Sequence, residues 1–132
     1  MSQENVELTY RVIDVFNRRD LGVFLTLMAE DVRADPLLAG IEGGYRGHDG
    51  IRRWWKTLID LIPDFTVEVI EVREYGSEWV LSVVRLRGHG AESNAPFEAT
   101  TWFPVRIRQG KCVWWGNYPT EDEALEAAGL SE

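Results

Sequence analysis

Few residues in this chain could do chemistry. Asp35 is the first of them. It closes the run Asp31-Val32-Arg33-Ala34-Asp35-Pro36, a short extended segment that ends in an acid with a proline directly behind it. A carboxylate can shuttle a proton when a partly apolar pocket raises its pKa toward the working range. Proline fixes the chain direction and removes a backbone donor that the carboxylate could otherwise accept from. The competing reading is a turn, since Asp before Pro commonly opens one. His48 and His89 are the only histidines. Either could act as a base, but His48 sits where a helix is capped and His89 lies between two glycines at a hairpin. Two scattered histidines and the single Cys112 have no metal-ligand spacing, so no metal and no cofactor are expected. Cys112 reads as a small buried hydrophobe.

Six tryptophans form the second group, at positions 54, 55, 79, 102, 114 and 115. Trp54 or Trp55 with Trp102, Trp115 and Asn117 could line one cavity. Trp115 and Asn117 alternate onto one strand face, while Trp114, Gly116 and Tyr118 take the other. Packing is the simpler role for most of these rings. Asn117 on an apolar strand needs a partner if buried, so it is the candidate to orient a ligand.

The elements that must position these residues follow from periodicity. Between Glu4 and Asn17 the apolar residues step by three and four, one broad helical face. Asp20 is a good N-cap for a shorter helix carrying Leu21, Phe24, Leu25 and Met28. The Asp35 segment follows as a short strand. Residues 37–47 hold four glycines without a period and read as a loop over the surface or a cavity. Ile51, Trp54, Trp55, Leu58, Ile59 and Ile62 then make a strong amphipathic stripe, stopped by Pro63. From Phe65 the pattern changes to alternation, with tight turns at 75–78 and 108–111 and a longer connection in "GHGAESNAP". The tail "TEDEALEAAGL" is a small acidic helix closed by Gly129. Helices first and hairpins after them give the α+β class: three N-terminal helices packed on a curved antiparallel sheet, with room for a small molecule between. The chain of 132 residues reads as a single domain.

A net charge of -8 and a pI near 4.8 argue against nucleic acid and an anionic membrane surface as partners. A lone cysteine cannot make an internal disulfide, which favours the reducing cytoplasm. No apolar run approaches a membrane span, and "MSQENVEL" does not read as a signal peptide.

Several segments together carry a family resemblance. They are "VFNRRDL" at 15–21, "YRGHDGIRRWW" at 45–55, "PDFTVEV" at 63–69, the Gly110-Lys111 turn with Val113, and "EALEAAGL" at 123–130. In order and spacing the chain resembles the nuclear transport factor 2-like superfamily, in its SnoaL-like (polyketide cyclase-like) branch. The resemblance implies a cone-shaped α+β barrel, usually a homodimer joined through the sheets, and no single activity. "ADP" at 34–36 resembles the acid-proline pair that carries the base of ketosteroid isomerases. That branch also needs a tyrosine and a protonated acid, and their positions match Val12 and Trp102 here. Limonene-type epoxide hydrolases need two aspartates flanking an arginine. Between Thr66 and Glu121 this chain has no aspartate.

The expectation is therefore a small-molecule-binding SnoaL-like domain, acting as a cofactor-independent acid–base enzyme on a hydrophobic, oxygenated substrate. Asp35 would be the base or acid, Tyr45 would cover the pocket, and Trp55, Trp102, Trp115 and Asn117 would shape it. The alternative is a non-catalytic ligand-binding or dimerisation module. Asp35 facing into a deep pocket favours chemistry, and a cavity plugged by tryptophans favours the module.

Overall fold

The computed structural model describes residues 2–36 and 44–130. Helix α1 (Ser2–Asn17) buries the stripe Val12, Ile13, Val15 and Phe16. Helix α2 (Leu21–Thr26) starts at Asp20, whose carboxylate accepts from the Val23 N–H at 3.1 Å. Helix α3 (Gly47–Leu61) turns Ile51, Trp54, Trp55 and Leu58 inward. It ends before Pro63, with Ile62 already extended as the residue before a proline prefers. Helix α4 (Glu121–Ala128) is capped by the Thr120 hydroxyl and closed by Gly129 in the left-handed conformation. Three acids in its first turn favour the positive end of the helix dipole.

Six strands form one sheet: β1 (Met28–Asp35), β2 (Tyr45–Arg46), β3 (Thr66–Tyr75), β4 (Trp79–His89), β5 (Pro96–Arg108) and β6 (Lys111–Gly116). Their order is β2-β1-β6-β5-β4-β3. The hairpins of the second half are antiparallel as expected. The β5–β6 turn places Gln109 and Gly110 both at positive φ, the geometry whose twist matches a two-residue hairpin. Three features depart from the sequence reading. The β1–β6 pair is parallel, so the sheet is mixed. Tyr45 and Arg46 form a two-residue strand on β1 where an unbroken loop was expected. Residues 37–43, the rest of that glycine-rich stretch, lie outside the described residues. Met28, read as the last apolar position of α2, begins β1 instead.

Register shifts interrupt β3 between Val69 and Glu71 and β5–β6 between Arg106 and Ile107. Such irregularities bend strands and deepen twist, and the sheet curls around α1, α2 and α3. One apolar cluster fills the hollow, with Phe16, Phe24, Trp54, Trp55, Phe103 and Trp115 as its large members. Helix α4 packs on β5 instead. There Ala124 is fully buried without joining that cluster, so α4 covers part of the outer sheet face.

Two side chains of the "VFNRRDL" segment tie the helices to the sheet. Asn17 donates to the Val67 carbonyl at 2.8 Å and accepts from the Val67 N–H at 3.0 Å. β3 is an edge strand, and this amide takes the place of a neighbouring strand at one residue. Arg19, at φ 62°, donates to the carbonyls of Phe16, Pro63 and Phe65.

Candidate functional site

A cavity of about 50 Å³ lies between the helices and the concave side of the sheet. Phe16, Phe24, Trp54, Phe103 and Trp115 supply its aromatic wall, and aliphatic side chains of α1, β3 and β4 extend it. Asn117 lines it too. Its amide donates to the hydroxyl of buried Thr101 at 3.4 Å, a residue outside the lining. Among the described residues no ionisable side chain lines it. The rings crowd one another: Trp54 meets Trp115 edge to face with centroids 4.9 Å apart, and Phe103 meets Trp115 at 5.7 Å. Trp115 is 3% exposed, and its indole N–H has no acceptor among the described residues.

Trp115 and Asn117, two apart on one strand face, both line this cavity. Trp55 is buried one layer away, edge to face with Phe16 and Phe24 rather than in the cavity wall; its neighbour Trp54 takes that place. Trp102 is not in the wall either. It pairs with Tyr118 through two backbone hydrogen bonds, on the parity opposite to Thr101 and Phe103. The strand already carried this signal, because Trp102 alternates with Thr100 and Arg106 while Thr101, Phe103 and Val105 run in the buried series. Tyr45 is half-buried against the core cluster and is not part of the cavity wall.

Asp35 is half-buried and follows Ala34, which belongs to the core, so its side chain takes the other face of β1. There its carboxylate accepts from the Tyr118 hydroxyl at 2.7 Å. Its carbonyl accepts from the Asn117 N–H at 3.1 Å. Burial first, and then the Asp35 carboxylate, push the Tyr118 phenol well above the usual tyrosine range. Gly116 makes the contact possible. A Cβ at Gly116 would lie 2.8 Å from the Tyr118 ring and 2.9 Å from its hydroxyl oxygen. The Tyr118 ring also stacks on Trp114, which in turn meets Trp79 edge to face at 5.6 Å. A carboxylate–phenol pair with flanking indoles thus sits on the outer sheet face, apart from the cavity. The sequence reading missed Tyr118 as the partner of Asp35. Pairing across 83 positions leaves no local signal.

The remaining chemistry-bearing residues have structural partners. His48 Nε2 lies 3.0 Å from the Met28 carbonyl. His89 pairs with Asp64 at 2.8 Å, and this partner holds the Asp64 carboxyl below its ordinary range. Glu98 bridges the exposed side chains of Arg85 and Arg87. Cys112 is buried, and burial alone pushes its thiol up to about 12, so it stays protonated and unreactive. Among the described residues no group of three or more His, Cys, Asp or Glu could hold a metal ion.

The fold agrees with comparison to known proteins. The sequence model of the SnoaL-like domain matches residues 10–115. The chain belongs to the SnoaL-like domain family. No curated protein sequence matches this SnoaL-like domain. Solved structures share its fold. One is an NTF2-like protein of unknown function from Burkholderia pseudomallei, 20% identical, with a TM-score of 0.79 over 93% of this chain and 95% of that one. A Mycobacterium tuberculosis protein in complex with estradiol-17beta-hemisuccinate is 19% identical, with a TM-score of 0.79 over 90% of this chain and 95% of that one. A Catenulispora acidiphila protein with a ketosteroid isomerase-like fold, in complex with trimethylamine, is 18% identical, with a TM-score of 0.76 over 95% and 94%. At such identities the likeness of the SnoaL-like domain to these proteins concerns the fold. No helix among the described residues is long and apolar enough to cross a membrane.

Proposed function

We propose that this SnoaL-like domain binds a compact hydrophobic molecule in the chamber between α1, α2, α3 and the sheet. The observation that carries the reading is the chamber itself, lined by apolar and aromatic side chains with Asn117 beside them. Apolar chambers with a few placed polar groups are the usual form of small-molecule sites. Relatives of the same fold are named with a steroid ester and with trimethylamine, which supports a ligand-binding use of the scaffold. Native mass spectrometry of the gently purified protein, followed by extraction, should release a small apolar guest. Saturating Trp115→Ala, which opens the chamber, with hydrophobic guests of increasing size should extend the size range accepted. An unchanged range would count against the chamber.

The acid–base reading rests on a different observation, the 2.7 Å bond between Tyr118 and Asp35. A phenol that holds its proton and a carboxylate beside it form a donor–acceptor pair of the kind acid–base chemistry uses. Substrate would have to meet this pair from the β1 side of the outer sheet face, beside the rings of the dimer contact proposed below. Asp35→Asn separates the two readings. Guest binding in the chamber should be unchanged in this variant, while any turnover that depends on the pair should be lost.

The reading includes a homodimer that pairs outer sheet faces through Trp114 and Tyr118, with Trp79 and Trp102 beside them. Half-buried aromatic rings gathered on one face are the supporting feature. A cytoplasmic location suits the free, buried Cys112.

A further inference from the structure

Trp115 carries an unmet requirement. Its ring is 3% exposed and forms part of the chamber wall, yet its indole N–H has no acceptor among the described residues. Buried donors are nearly always paired, because an unpaired one forfeits the hydrogen bond it made with water. The ring's edge-to-face neighbour Trp54 offers at most a π face, a weak substitute for an oxygen. The other polar side chain of the lining, Asn117, donates its amide nitrogen to the Thr101 hydroxyl.

We propose that the Trp115 N–H is the donor that selects the guest, and that the guest is a neutral, compact molecule with one carbonyl or ether oxygen on an otherwise apolar frame. This deepens the chamber-binding reading and rests on it. Charge is excluded by the lining: with no ionisable side chain there, a charged guest would be buried unpaired at a large cost. Size is limited by the volume. About 50 Å³ has room for on the order of three to five waters at roughly 10–15 Å³ each, so the guest has few heavy atoms unless Trp54 and Trp115 move aside.

The test uses matched guests on the ¹⁵N-labelled protein: cyclobutanone, cyclopentane of the same heavy-atom count, and propionate as the charged control. Chamber entry is read from the methyl resonances of Val12 and Val84, and the donor from the Trp115 indole resonance, assigned through its contacts with Trp54 and Phe103. Cyclobutanone should move the Trp115 indole proton downfield, and cyclopentane should enter without that shift. Trp115→Phe keeps a ring and removes the donor. The ratio of ketone to hydrocarbon affinity should then fall about three- to ten-fold, the range of one net hydrogen bond. If both guests enter but the indole proton stays put, or the ratio survives in Trp115→Phe, the donor assignment is overturned and the chamber reading stands. Should that variant fail to fold, the indole shift in the unaltered protein still decides. Entry of propionate as tight as that of the ketone would overturn the neutral class. If no guest enters, the chamber-binding reading falls with the proposal.

Discussion

Tyr118 is joined to Asp35 by one hydrogen bond on the outer face of the sheet, and that bond has a measurable pH signature. The phenol's pKa is raised in the folded protein, by burial first and by Asp35 second. An unfolded tyrosine ionises at its ordinary value of 10.0, before the folded one does. The contribution of Tyr118 is therefore complete below about pH 10 and is lost progressively as pH rises beyond it. Urea denaturation at pH 7 should find Tyr118→Phe less stable by about 1.5–3 kcal/mol, the range for one hydrogen bond to a charged group. Repeating the series between pH 9 and 11 should find native and variant converging. A constant gap across that range would mean that Tyr118 does not ionise differently in the two states. Gly116→Ala should weaken the same bond while leaving both partner residues in the chain, since the added carbon would push against the Tyr118 ring.

At the scale of elements, the joint between α1 and β3 depends on Asn17. Its amide both donates to and accepts from the Val67 backbone. Asn17→Ala removes both bonds and should cost about 2 kcal/mol. Asn17→Asp keeps the acceptor and loses the donor, so it should fall between. Equilibrium urea unfolding ranks the three proteins, and equal stability of all three would show that water replaces the amide without loss. The helices, the hairpins and their turns were legible in the sequence because each is written locally. Steps of three and four mark α1 and α3, alternation marks β3 to β5, and Asp20, Thr120 and Gly129 mark ends. The β1–β6 pairing was not legible, because parallel partners far apart in the chain share no turn that could announce them. Parity along a strand was readable too, and it put Trp115 and Asn117 together. Which parity looks toward the helices depends on which strands pair, and there the expectation for Trp102 as a pocket residue parted from where the fold puts it. For Trp54 and Trp55 the limit was finer. Adjacent positions on one helix are both buried here, and about 100° of rotation decides which of them reaches the cavity.

For the whole molecule, the two faces of the sheet are occupied differently. The concave face is filled by three helices and the cluster around the chamber. The outer face carries α4 over part of its surface and indoles over another part. If two copies pair there, Trp114→Ala should lower the mass found by light scattering at micromolar concentration to that of one chain, with the far-ultraviolet circular dichroism unchanged. A single-chain mass for the unaltered protein would remove the dimer from the reading. Four arginine–glutamate contacts link Arg85 and Arg87 with Glu68 and Glu98 across neighbouring strands. They are largely exposed, and pairs of this kind contribute little to stability. Exchange of all four for neutral residues should therefore leave the net charge as it is and move the unfolding midpoint little.

The parallel seam also sets an order in time. Asp35 lies beside Gly116 in the finished sheet, about eighty residues further along the chain. A ribosome adding roughly 5–20 residues per second needs on the order of ten seconds to supply the missing strand. Throughout that interval the β1 edge that β6 will cover is bare, and β1 with its buried Val32 and Ala34 is not joined to the rest of the sheet. A nascent chain halted before residue 111 should thus be sensitive to protease across β1 and prone to recruit chaperones, and release of the next few residues should end both at once.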